Sequence, residues 1–435
     1  MPRNYKRLQE KITFDNLMET VSEEFARLPD HRRANSSYEL ADVLRSAFAM
    51  FSLKSPSLLS FKEMTKPEEK NLRAIYRIQA IPSDTQMRTA LDPISPTPLR
   101  SLFAKFFNQL NEAGVSKEYE YWKGQLVVSL DGVEHFSSTK VHCQHCSTRT
   151  HRNGVTSYHH AGLAAVLVHP AQAEVFPLDF EPILKADGSQ KNDCERNAAK
   201  RLCQDLHERY PALKPILVED ALYANAPHLR QISGYDWHFV SNVKPDSHAS
   251  LEKQFAGRRA SGQVKELRLT DPQGIKHYFA WTNALCLCES AVDVEVNYLL
   301  YEQTDKQGKV TRWSWATNIP LNARSVEPVM RAGRARWKIE NETFNTLKNQ
   351  GYNFEHNYGH GQQNLATILA LLMLLAFLVD QMIQRCWRLF RQVRGGLRTK
   401  AKLWESVRSL FKVKRFPSME TLYRQIAELY DIQLC

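Results

Sequence analysis

The chain has 435 residues, with 58 lysines and arginines against 47 aspartates and glutamates and a formal net charge of +11. A hydrophobic share of 43% is enough for real cores, the length leaves room for roughly two to four domains, and the basic surplus favours a nucleic-acid partner. The opening MPRNYKRLQEK lacks the apolar stretch of a secretory signal, so the eight cysteines argue against a secreted disulfide framework and for reduced thiols in a cytoplasm.

Residues 1–120 read as helical. FDNLMETVSEEFARLPD opens after a cap at Asp15, ELADVLRSAFAMFSL has helical periodicity, and PSDTQMRTALDPISPTPLRSLFAKFFNQL adds helices broken by prolines. The pattern then changes. GQLVVSLDGVEHF, YHHAGLAAVLVHP and EVFPLDFEPI predict three strands, KNDCERNAAKRLCQDLHERY an amphipathic helix, and KPILVEDALYAN and YDWHFVSNVK two further strands. Residues 121–249 thus form the first part of a mixed α/β sheet core. From 250 to 320, QVKELRLT, KHYFAWTNALCLC, VDVEVNYLLYEQT and KVTRWSWATNI predict consecutive strands joined at DPQG and DKQG turns, an all-β insertion. Residues 321–384 return to the core with the helix RARWKIENETFNTLK, the turn-like GYNFEHNYGHGQQN and the uncharged run LATILALLMLLAFLV. Fifteen residues are short for a membrane span of about 20, so this run predicts a buried helix. Residues 385–435 form a basic helical end. Arg385 to Arg415 holds eleven basic residues and one acid, Glu405, with Trp387, Phe390, Trp404 and Phe411 between them. That pattern suits phosphate contacts with apolar anchoring, or a solvated amphipathic helix pair closing the fold.

Three carboxylates stand out. Asp131 and Asp220 each end a predicted strand, where ligands of open α/β sheets gather. In the later helix, an angular step of about 100° puts Trp337, Phe344 and Leu347 on one stripe, with Glu340 inside it and Glu342 pointing away. A glutamate on an apolar face needs a partner, either Arg336 one turn earlier or a cation. If the helix packs on the sheet, three acids converge, and they would not stay ionised without cations. Two Mg²⁺ ions about 4 Å apart would resolve the repulsion and support in-line phosphoryl transfer.

With SLDGVE at 129–134, VEDALYAN at 218–225 and RWKIENETFNTLK at 336–348, in this order and with strands before the glutamate, the chain resembles bacterial insertion-sequence transposases of the DDE class. GYNFEHNYGHG and PSDTQMRTALDPI share the likeness. The resemblance implies an RNase H-like core interrupted by the β-strand insertion. It implies Asp131, Asp220 and Glu340 as the catalytic, metal-binding triad, with two Mg²⁺ that Mn²⁺ can replace. Arg336 and Lys348 correspond to DNA-contacting basic residues around the glutamate. The implied activity is cleavage at the element's terminal inverted repeats and joining of 3′-hydroxyls to target DNA. The protein would act as a homodimer on DNA in a nucleoid-associated cytoplasmic setting, without membrane. Two positions depart from the signature. Gly333 stands where a Tyr is usual, and Lys348 follows Glu340 by eight residues rather than seven. Glu342 is the reserve for the third acid.

VHCQHCSTRTHRNGVTSYHH offers a second site. Cys143-x2-Cys146-x4-His151 has zinc-like spacing and His159 would complete a structural Zn²⁺ site; the alternative is a polar hairpin with incidental thiols. His356 and His360 read as turn and helix-cap residues, and Trp281, Trp313 and Trp315 chiefly as core. Against an active transposase stand two other readings: an RNase H-fold nuclease or resolvase without strand transfer, and a non-catalytic DNA-binding descendant.

Overall fold

A computed structural model describes residues 3–33, 36–63, 66–185 and 194–434. Its centre is an 11-stranded mixed sheet. The strands are β1 Glu120–Trp122, β2 Gln125–Ser138, β3 Ser147–Thr150, β4 Thr156–Val168, β5 Phe176–Ile183, β6 Ile216–Glu219, β7 His238–Asn242, β8 Lys265–Thr270, β9 Lys276–Cys288, β10 Ala291–Thr304 and β11 Val310–Thr317. Their order is β3-β4-β2-β6-β7-β11-β10-β9-β8, with β1 on β2 and β5 on β4. The β2–β6 and β6–β7 pairs are parallel and the others antiparallel. Antiparallel pairing of β2, β4 and β5 beside a parallel β2-β6-β7 block, with helices packed against it, is an RNase H-like arrangement.

The later strands do not stand apart as a separate β unit. Trp315 of β11 pairs with Asn242 of β7, so β8–β11 extend the same sheet. The stretch also begins with a helix, Ala249–Ala260, which packs on β9 and which strand periodicity does not reveal. DPQG and DKQG do turn the chain. The Asp271 and Asp305 carboxylates accept backbone N–H bonds, and Gly274 and Gly308 take the left-handed backbone that these turns require.

The uncharged run forms the first part of a 22-residue helix, Leu365–Cys386, long and apolar enough to cross a membrane but buried inside the protein. Helices Leu40–Ser52 and Pro96–Glu112 and strand β5 surround it. Asp15 is not the cap of its own helix. Thr13 caps Phe14–Arg27, and the Asp15 carboxylate instead accepts Met419 and Glu420 N–H groups, capping Met419–Leu429 at the other end of the chain. In the basic segment Trp387, Phe390 and Phe411 turn into the core and Trp404 is half-buried against Phe390, while Arg388, Arg391, Arg398, Lys402 and Lys412 are exposed. The aromatics therefore close the fold rather than present themselves for stacking. The first residues of the KNDCERN helix reading, 191–193, lie outside the described residues; the helix is seen over Glu195–Arg209.

Candidate active site

The parallel block presents two of the acids. Register Ser129↔Val218 is the last β2–β6 pair, so two residues further along each strand the chain reaches Asp131 and Asp220 side by side. Asp131 does not end its strand, because β2 runs on to Ser138 in its pairing with β4; it stands where β2 loses β6 as a neighbour. Asp220 leaves β6, and its Oδ1 accepts the Leu222 N–H at 2.8 Å. Strand alternation turns Glu219 the other way, fully buried, with its carboxylate held by His228 at 2.6 Å and Ser241 at 3.0 Å.

Glu340 arrives from the helical segment 326–349. Ser129 of β2 donates to the Arg336 carbonyl at 3.2 Å and fastens that segment over the strand. Arg336 Nη1 is 2.6 Å from Glu340 and 3.5 Å from Asp131, so one guanidinium spans both acids. Glu340 is half-exposed, with a side-chain exposure of 48%, and is not among core residues. The expected stripe holds for Phe344 and Leu347, which are buried, but Trp337 is 46% exposed. The reason is a π turn over Ile339–Phe344, closed by the Asn345 N–H donating to the Glu340 carbonyl five residues back. A π turn takes one more residue than an α turn, which shifts the phase between Trp337 and Phe344. It also absorbs the extra residue between Glu340 and Lys348. Lys348 is ion-paired to Glu355 at 2.7 Å. Glu342 is half-buried on another side, within range of the Lys400 charge.

The other departure from the signature has a steric cause. A Cβ at Gly333 would lie 2.5 Å from Trp315 Nε1, so the helix yields that place to an indole from β11. Trp281 and Trp315 are buried, as expected of core residues, whereas Trp313 is half-buried, stacked on Tyr301 and covered by Arg334.

A fourth acid, absent from the sequence reading, joins the group. Glu195, in the first turn of helix Glu195–Arg209, accepts a hydrogen bond from the buried Tyr223 hydroxyl at 3.2 Å. It lies so close to β2 that a Cβ on Gly132 would meet its carboxylate at 2.6 Å. Glu134, further along β2, pairs instead with Arg149 at 3.2 Å. The charges converge on Asp131. Burial raises its pKa to about 7; Arg336 opposes the rise, and Glu340, Asp220 and Glu195 add to it. Glu195 is raised too, by burial and by Asp220, against the Tyr223 hydrogen bond. Asp131 and Glu340 share one guanidinium, with Asp220 and Glu195 within electrostatic range, and carboxylate oxygens are donors of the kind that suits Mg²⁺ or Mn²⁺.

The predicted sulfur site differs in its histidines. Cys143 and Cys146 are brought together with His160 and His360, not with His151 or His159. His151 is bonded to Ser157 at 2.9 Å, and His159 sits among the charges of Glu134 and Arg149.

The fold is an RNase H-like sheet with acids gathered where its central parallel strands part. The chain belongs to the transposase DDE domain family, whose model matches residues 144–378, more than half of the sequence. Asp220 and Glu340 fall within that span and Asp131 precedes it. No curated protein matches the sequence. The family implies DNA as the partner.

Proposed function

We propose that the protein is an active DNA transposase, cutting at the ends of its element and joining the 3′-hydroxyls to target DNA, with Asp131, Asp220 and Glu340 as its catalytic carboxylates. The observation that carries this reading is the crowding of Asp131 by Glu340, Asp220 and Glu195, with Arg336 between two of them. Asp131, Asp220 and Glu340 would hold two divalent cations. Such ions, when bound, supply charge to activate the attacking hydroxyl and to stabilise the leaving oxygen. Arg336 bridges Asp131 and Glu340, and Tyr223 holds Glu195 near them. Arg336 and Lys348 supply positive charge toward the DNA end, with the exposed basic residues after Arg385 extending it. Two copies of the chain would pair two ends.

The test uses DNA flanking the gene, with Mg²⁺ and then Mn²⁺, and compares wild type with Glu340→Gln and Glu342→Gln. Cleavage and joining by wild type are expected, lost by at least a thousandfold in Glu340→Gln and changed less than tenfold in Glu342→Gln, with DNA binding retained in both. Cleavage without joining would favour a nuclease instead. An active Glu340→Gln protein would remove Glu340 from the triad.

A further inference from the structure

We propose that Cys143, Cys146, His160 and His360 bind one structural Zn²⁺, which fastens the turn before the long buried helix to the β2–β4 sheet. All four side chains are buried. Five of the six distances between their donor atoms match the edges of a coordination tetrahedron, and all lie within 4.8 Å. Zinc bonds of about 2.3 Å to sulfur and 2.0–2.1 Å to nitrogen imply edges of roughly 3.8 Å between sulfurs, 3.5 Å between sulfur and nitrogen, and 3.3 Å between nitrogens. The two sulfurs are 3.9 Å apart. His160 Nε2 is 3.5 and 3.4 Å from them, Cys146 Sγ is 3.1 Å from His360 Nε2, and the two Nε2 atoms are 3.2 Å apart. The sulfurs are far beyond the ~2.05 Å of a disulfide. Two thiols and two imidazoles select zinc over the hard cations suited to the acid cluster.

The surroundings prepare one of the two imidazoles. His360 Nδ1–H donates to the Gly361 carbonyl at 2.7 Å, which fixes the tautomer and leaves Nε2 free to bind a metal. The Cys143-x2-Cys146 turn is closed by the Cys146 N–H on the Cys143 carbonyl at 3.3 Å. The site is closed, with four protein ligands, as structural zinc sites are. His160 and His360 are 200 residues apart in sequence, so the ion would join the strand beside Asp131 to the turn that follows the Glu340 segment.

The experiment measures metal in the purified full-length chain by elemental analysis. About one zinc per chain is expected, retained in His151→Ala and His159→Ala and reduced at least tenfold in His360→Ala and Cys146→Ser. Zinc content unchanged in His360→Ala, or iron in place of zinc, would overturn the proposal. If these variants do not fold, Co²⁺ replaces zinc in the wild type. A tetrahedral cobalt spectrum with thiolate charge-transfer absorption is expected, and neither band appearing would overturn it. None of these readouts uses DNA, so the zinc site and the transposase reading stand or fall separately.

Discussion

Asp131 is held where its ionised form is disfavoured. Its folded pKa of about 7 lies above the 3.8 of an ordinary aspartate, so the folded state binds its proton more tightly than the unfolded state. Stability is then penalised as pH rises through the window from about 4 to about 7, and the penalty stays constant above it. Asp131→Asn removes the charge while keeping the shape. Without added divalent cation at pH 8, we expect the variant to be more stable than wild type by on the order of 1–3 kcal/mol, with the gain gone at pH 4. Urea denaturation at the two pH values measures it; equal stability at pH 8 would mean that burial and the neighbouring acids do not disfavour the Asp131 charge. The same variant should lack cleavage activity, so stability and function move in opposite directions. Asp131, Asp220 and Glu340 could be read from the sequence because each sits in a recognisable stretch and the stretches come in order. Glu195 could not, since a helix in a separate part of the chain delivers it. His160 and His360 were equally hidden: CxxC names two ligands, but only the folded sheet decides which histidines close the site. The adjacent His159 and His160 face opposite sides of β4, and spacing alone does not choose between them.

Among the elements, the π turn carries the most information. Regular α periodicity places Trp337 with Phe344, and the one-residue excess before Lys348 was the visible sign that the turn is not regular. The strands were legible because alternating apolar residues and Asp-Gly turn chemistry agree; their joining to β7 was not, because pairing partners leave no mark in a single strand. The two other stretches sharing the family likeness meet in space. The Asp92 carboxylate, from PSDTQMRTALDPI, accepts N–H groups of Gln362, Gln363, Asn364 and Leu365 at 2.8–3.1 Å, at the start of the long buried helix. Arg88 of the same stretch donates to the Tyr358 carbonyl at 3.1 Å. The carboxylate thus holds the turn that leads into the helix, together with the N–H of its first residue, Leu365, and faces the positive end of the helix dipole. Asp92→Ala should therefore cost about 1–2 kcal/mol, the upper part of the range for a lost cap. Thermal unfolding would read this, and a cost under a few tenths of a kcal/mol would show that other groups or water satisfy the helix start. Because His360 lies two residues before Gln362, the variant should also bind zinc less tightly, which competition with a chelator would detect.

At the scale of the whole molecule, the helices at the two ends of the chain share one core around the buried helix. Asn71 bonds the backbone of Phe411, Lys414 and Phe416 at 2.7–2.8 Å, and Lys54 joins four segments at once. Its ammonium is fully buried, ion-paired to Asp380 of the long helix and lying 4.1 and 4.3 Å from the rings of Tyr352 and Trp404. Tyr352 also donates to Asp380. Burial lowers the Lys54 pKa and Asp380 opposes that shift. Removing the carboxylate alone leaves an uncompensated buried charge, so Asp380→Ala should cost about 3–5 kcal/mol near neutral pH. The double variant Lys54→Met/Asp380→Leu replaces the pair with apolar groups and should recover most of that loss. The pH dependence has a definite sign. Without Asp380, the folded Lys54 binds its proton less tightly than the unfolded lysine, so the unfolded state carries more protons and stability rises with pH. The deficit of Asp380→Ala should therefore shrink steadily from pH 6 to pH 9. Urea unfolding of wild type, the single and the double variant across that range tests it. A deficit that does not change with pH would mean the cost comes from lost packing around the long helix rather than from the stranded ammonium.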